Sequence, residues 1–310
     1  MSNQTRVCSN NDFFQLLERV KRKDQIALAR AITLLENEPE NALSIEELYA
    51  SEVNSTSSYI VGFTGSPGAG KSTLVDSYVS MLRKTGAQVG IIAVDPSSPF
   101  TGGALLGDRI RMKRHFTDDG VFIRSMGSRG CVGGLNDAIF GVIMLYKLYG
   151  FDYIIVETVG AGQSEIDIVY VADTVVLVLS PGGGDEIQLM KAGIMEIADI
   201  FVINKADMDG SDLLKVNLEA VLKFSEQEKS IVLTVATSGK GVAELAEKIE
   251  SHKFFLKDSG EIEARRLRRL RKHAETIITR RVRTLLDDEK DLNGKVSEFV
   301  ERIVSKLCAS

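Results

Sequence analysis

The run Gly65-Ser66-Pro67-Gly68-Ala69-Gly70-Lys71-Ser72 fits the pattern G-x-x-x-x-G-K-[ST], with an apolar run at 59–63 before it and a helical pattern at 73–83 after it. Strand, glycine-rich turn and helix together form the context in which this pattern wraps a polyphosphate. The glycines let backbone N–H groups converge at a helix N-terminus, where the helix dipole also favours negative charge. In that geometry Lys71 reaches the β- and γ-phosphates and the Ser72 hydroxyl binds Mg²⁺.

The remainder of the chain fits the sheet that such a loop needs. Short apolar runs recur at 59–63, 89–94, 121–123, 153–156, 174–179, 200–203 and 231–235, separated by helical stretches. Several are nearly continuous in Val and Ile, which marks strands buried on both faces of a parallel sheet. The expected fold class is therefore α/β: a P-loop doubly wound, mainly parallel sheet over residues 58–252, with ligands beyond the C-terminal ends of its strands. Helical extensions flank it at 1–57 and 253–310. In the first, Phe13, Leu16, Leu17 and Val20 form one stripe, Asp24 is placed to cap a second helix, and Ser44-Ile45-Glu46-Glu47 fits a capping box opening a third. The polar run 54–58 reads as a linker. In the last, residues 265–283 hold nine Lys or Arg and one acid beside an apolar stripe from Leu267 to Leu285. Those arginines read as a solvated helix face or as a surface for an acidic partner or nucleic acid.

Bulk charge does not choose among partners, since 38 basic against 43 acidic residues leave only −5. Three cysteines without C-x-x-C spacing argue for a reducing compartment, and three scattered histidines argue against a histidine-rich metal site. No apolar stretch is long enough to span a bilayer. The expectation is a cytoplasmic protein with no membrane segment and no nucleic-acid partner.

Two further groups belong at the same sheet edge. Asp95 and Glu157 each follow an apolar run, and with Asp108 and Ser72 they supply the oxygen ligands that Mg²⁺ prefers. Asn204-Lys205-Ala206-Asp207 follows the run at 200–203 and reads N-K-x-D. A carboxylate there accepts from both N1–H and the exocyclic amine of guanine. Adenine offers an acceptor at N1 and lacks the amine, so the pattern favours GTP over ATP. Asn204 either braces the loop or meets a base edge, the Lys205 stem lies along the base, and Thr237-Ser238 completes the pocket.

Together the stretches 65–73 (Gly65 to Thr73), 95–112, 124–134, 157–165 and 184–188 resemble the MeaB/ArgK GTPases. These are G-protein chaperones of cobalamin-dependent acyl-CoA mutases, with methylmalonyl-CoA mutase as the usual client. The resemblance implies GTP or GDP with Mg²⁺ as the bound species. It also implies a homodimer formed through the C-terminal segment, and Lys71, Asp108, Glu157 and Arg109 at the reacting phosphate. Residues 108–112 and 157–165 would be switch segments, and 185–191 a further mobile one that transmits nucleotide state. Gly160 is followed by Ala161-Gly162, with Gln163 further on, so no residue is placed to orient the attacking water as in Ras-like GTPases. Hydrolysis is then slow alone and faster when a partner orders the switches, with Arg109, Arg111 and Arg129 as candidate charge stabilisers. Two alternatives stand beside this reading: a P-loop kinase linked to amino-acid transport, and a metallochaperone GTPase.

Overall fold

The computed structural model describes residues 10–95, 112, 114–127, 138–158, 167–182, 194–224, 229–289 and 296–309. Three helices come first: α1 (Asn10–Lys21), α2 (Gln25–Asn37) and α3 (Asn41–Ser55). Then follow β1 (Tyr59–Thr64), α4 (Lys71–Lys84), β2 (Val89–Asp95), β3 (Val121–Gly127), α5 (Ile139–Tyr149) and β4 (Tyr153–Thr158). A 3₁₀ turn at Ile168–Tyr170 leads to β5 (Thr174–Leu179), short α6 (Ile194–Ile197), β6 (Ile200–Asn204), α7 (Ser211–Phe224) and β7 (Ser230–Thr234). The chain continues through α8 (Val242–Asp258), α9 (Glu261–Asp288) and α10 (Val296–Ala309). Among the described residues no helix is long and apolar enough to cross a membrane.

All seven expected strands form one sheet in the order β3-β2-β4-β1-β5-β6-β7, every neighbouring pair parallel. The alternation of side chains along each strand feeds two separate layers. Val61, Phe63, Ile91, Val176 and Val202 pack on α4 and α8. Ile60, Ile92, Ile154 and Val175 turn to the other face, where α5 lies. There α1–α3 add a second helical tier over α5, burying Leu17, Leu28, Ile32, Leu35 and Ile45 in the same core. α7 covers Leu177, Phe201 and Ile203 further along.

Asp24 caps α2 as its position suggests, its Oδ1 accepting from the amides of Ile26 and Ala27. The third helix departs from the expected capping box. It begins at Asn41, three residues before Ser44, because its buried stripe begins at Ala42 and continues through Ile45, Tyr49 and Val53. The polar run after it is no free tether: α3 extends to Ser55, and buried Ser58 donates to the Phe151 carbonyl at 2.6 Å.

The basic helix α9 is likewise not simply a solvated face. Arg265 meets the Asp199 carboxylate through two hydrogen bonds of 2.7 and 2.8 Å. Arg269 donates to Asp173 at 2.6 Å and to the Val171 carbonyl at 2.9 Å. Asp199 also accepts from the Val175 amide and Asp173 from the Ile60 amide, so the two carboxylates join α9 to the sheet.

Asp199→Ala leaves Arg265 without a carboxylate and the Val175 amide without its acceptor, and should lower unfolding free energy by about 3 kcal/mol in urea titrations. A second expectation concerns pH. His273 is buried and stacked on Phe140 with ring centroids 5.0 Å apart, and burial lowers its pKa below 6.5. The unfolded chain therefore protonates first, and the stability that neutral His273 contributes is complete above that value and lost as pH falls below it. His252 is shifted the same way by burial. The thermal midpoint should decline from pH 6.5 towards about pH 5, and His273→Phe should make that decline shallower.

Candidate functional site

Beyond Thr64 the backbone turns through Gly65, Gly68 and Gly70, with φ of 136°, 79° and 87°, before α4 starts at Lys71. At two of these positions space is limiting as well as conformation. A Cβ on Gly65 would strike the Val178 carbonyl oxygen, and one on Gly70 would strike the Asn204 amide. The Lys71 ammonium folds back on this loop, donating to the carbonyls of Gly65 at 2.6 Å and Ser66 at 3.0 Å. Gly70 caps α4 without any side-chain hydrogen bond, and the N-terminus of a helix so placed favours an anion through its dipole.

Strand register delivers the next group. Phe63 of β1 lies opposite Glu157 of β4, so the Glu157 carboxylate reaches the start of α4, where Ser72 Oγ donates to it at 2.6 Å. Both residues are buried. A hydroxyl and a carboxylate held together beside a phosphate loop are the hard oxygen donors that suit Mg²⁺. Thr158 Oγ1 donates to Thr64 Oγ1 at 3.0 Å and ties the two strand ends together. Asp95 closes β2 beside them, where Val94 pairs with Thr158. Its side chain lies outside the described residues, as do Asp108, Arg109, Arg111, Arg129, Gln163 and the segment 185–191.

On the other side of β1, β6 ends at Asn204, and of its two expected roles the structure displays the brace. Its Nδ2 donates to the Ala69 carbonyl at 2.9 Å, while its Oδ1 accepts from Thr234 Oγ1 at 3.0 Å and the Ala236 amide at 3.1 Å. Lys205 follows in the left-handed region at φ 57°, and the turn is closed by Met208 N–H donating to the Lys205 carbonyl at 2.9 Å. Asp207 stands exposed on this turn. Thr237 and Ser238 are exposed on the neighbouring turn, where the Ser238 hydroxyl donates to the Val235 carbonyl at 3.1 Å. Ser77 of α4 donates to the Ala236 carbonyl at 2.7 Å, closing the ring of contacts around the edge.

The carboxyl ends of β1, β4, β6 and β7 thus bring the 65–73 loop, Glu157, the 204–207 turn and the 236–238 turn to one edge. Two contributors went unmarked in the sequence. Thr234 could be found only through its register with Asn204. Asp76, one turn after Ser72, is buried and holds Arg114 at 2.6 Å and the His115 ring at 3.3 Å. Burial raises its carboxyl above the usual range despite the Arg114 guanidinium beside it. Its signal was a lone acid within an otherwise apolar helical stripe.

Residues 28–291 match the family described as methylmalonyl Co-A mutase-associated GTPase MeaB. The chain belongs to that family. A Pyrococcus horikoshii protein, a GTPase by name, is 51% identical over 302 residues, covering 94% of this chain and 92% of its own length. GTPase ArgK of Escherichia coli is 35% identical over 257 residues, 80% of this chain and 78% of its own. Among solved structures, that of a LAO/AO transport system kinase superposes with a TM-score of 0.67 at 25% identity, spanning 97% of this chain and 99% of the other.

Because Asn204 spans the two loops, Asn204→Ala should weaken GTP binding at least about tenfold while leaving the fold intact. Titration with a fluorescent GTP analogue, alongside circular dichroism, measures both.

Proposed function

We propose that this MeaB-family GTPase acts as a Mg²⁺-dependent chaperone that gates cofactor loading or protection of a cobalamin-dependent acyl-CoA mutase. The observation that carries the reading is the Asn204 side chain, which joins the phosphate loop to the N-K-x-D turn and sets a fixed span between them. A guanine nucleotide has its polyphosphate at one end of such a span and its base at the other. The family's description supplies the mutase. A mouse relative named methylmalonic aciduria type A homolog, mitochondrial, is 37% identical over 214 residues, 66% of this chain and 52% of its own, and points the same way.

In this reading residues 65–73 cradle the phosphates, with Lys71 moving from its loop carbonyls to the β- and γ-oxygens. Asp207 accepts from guanine N1–H and the exocyclic amine, the Lys205 stem flanks the ring, and Thr237-Ser238 offer backbone donors. Ser72, Glu157, Asp95 and Asp108 would hold Mg²⁺, directly or through water. The ion when bound draws charge from the phosphate oxygens. Water attack on the γ-phosphorus releases phosphate and GDP, and one of Arg109, Arg111 or Arg129 offsets the charge built up during transfer. Intrinsic turnover is slow, since Gly160 lacks an adjacent glutamine, and the mutase accelerates it by ordering the switches. The 185–191 segment carries nucleotide state to the client. The protein works in the cytoplasm, and it works as a homodimer, the latter reading supported by Leu267, Leu270 and Ile278, which stand about half exposed along α9.

The decisive experiment is GTP and ATP turnover by the purified protein, alone and with a cobalamin-dependent acyl-CoA mutase from the same organism. Slow, GTP-selective hydrolysis that rises with the mutase is expected. Equal use of ATP would remove the base-site assignment, and transfer of labelled phosphate to an acceptor would replace the GTPase with a kinase. Asp207→Asn should cost on the order of a hundredfold in GTP affinity, with the response to mutase recovered at saturating GTP.

A further inference from the structure

Three polar side chains of α4 fall in a row on one face: Asp76, Ser80 and Arg83, continuing at helical spacing from Ser72. Against that face lie residues 114–120, a strap that leads into β3. Arg114 meets the Asp76 carboxylate at 2.6 Å, and His115 Nε2 lies 3.2 Å from the Asp76 carbonyl and 3.3 Å from the Ser80 hydroxyl. Further along, Arg83 donates to Asp118 through two hydrogen bonds of 2.9 Å, its guanidinium filling the space that a side chain on Gly120 would need. Met112, where the strap begins, is buried in the core layer that α4 shares with the sheet.

The Asp76 carboxylate is a costly way to hold a strap in place. Its side chain is 2% exposed and its Oδ1 has no hydrogen-bond partner among the described residues, whereas the Arg114 side chain is 62% exposed. A carboxylate taken out of water gains little net stability from a guanidinium that stays mostly in it, and an apolar side chain would pack there at lower cost. What an ion pair adds over packing is the choice of one partner, and hence of one register. Ser80 and Arg83 repeat that choice one and two turns further on.

Register matters here because of what the strap continues from. Asp108 lies four residues and Arg111 one residue before Met112 in the chain, while Ser72 lies one turn before Asp76 on the same helix face. A slip of one residue would carry the preceding chain by up to about 3.5 Å relative to Ser72. A displacement of about 1 Å already suffices to cost a hundredfold in a positioned reaction.

We propose that Asp76 is a positioning residue for GTP hydrolysis: through Arg114 it fixes the seating of the strap on α4, and with it the place at which the chain delivers Asp108 relative to Ser72. Its carboxylate is engaged by Arg114 and acts through the chain, not on the nucleotide. The inference rests on the reading of Asp108 as a group at the Mg²⁺ ion and the reacting phosphate.

Single-turnover hydrolysis of GTP with Mg²⁺ by the full chain, measured beside GDP affinity, provides the test. The rate constant should fall about tenfold in Arg114→Gln, with GDP affinity kept within about twofold. Arg114→Lys, which keeps a cation on Asp76, should retain most of the rate. Asp76→Asn removes the buried charge itself, so it carries the test should Arg114→Gln fail to fold. It should match Arg114→Gln, and the double variant should lose no more than either alone, because all three break one interaction. An unchanged rate in the folded variants would overturn the proposal. So would a fall matched by an equal loss of GDP affinity, which marks a general loosening of α4. Asp108→Ala separates this inference from the reading beneath it. If that variant lowers the rate while Arg114→Gln does not, the strap alone fails; if it hydrolyses GTP like the wild type, the assignment of Asp108 falls and the inference with it.

Discussion

The burial of β1 on both faces and along both edges is the constraint from which the rest of the structure follows. A parallel strand in that position satisfies its backbone only through two neighbours, and each parallel neighbour requires a crossover packed on a sheet face. β4 and β5 fill those edges, with α4 and α8 on one face and α5 on the other. The glycine loop can only leave at the carboxyl end of β1, with Glu157 brought beside it by the register of β4. Even the glycine at position 62 follows from this crowding, since a side chain there would strike Ile168 and Ala172 in the turn that leads into β5.

Much of this was legible in the amino-acid sequence because the signals were local and repeated. Seven Val- and Ile-rich runs announced the strands, and the phosphate loop and N-K-x-D turn each carry their chemistry within a few consecutive residues. What could not be read were pairings between distant residues. Asn204 offered two roles on paper, and its hydrogen bonds to Ala69 and Thr234 depend on strand order that no local pattern encodes. The start of α3 was misjudged for a related reason. Ser44 and Glu47 have the right spacing for a capping box, but burial of Ala42 against α5 outweighs a local cap.

The charge-rich helix α9 shows how composition can mislead about surface. Its stretch of arginines suggested solvent or an acidic partner, yet Arg265 and Arg269 find their acids inside the molecule, on the loops that precede β5 and β6. A guanidinium can bridge a carboxylate and a backbone carbonyl at once, which a lysine cannot do with the same geometry.

The two-tiered helical layer also bears on how the chain is made. α1–α3 bury their apolar stripes largely against α5, which leaves the ribosome roughly 80 residues after α3 is complete, on the order of 4–16 s at ~5–20 residues per second. During that interval Leu17, Leu28, Ile32, Leu35 and Ile45 have no sheet layer to cover them. These three helices therefore stay amphipathic and uncovered in the nascent chain until α5, midway along the chain, has emerged, well before the last strands and helices are made.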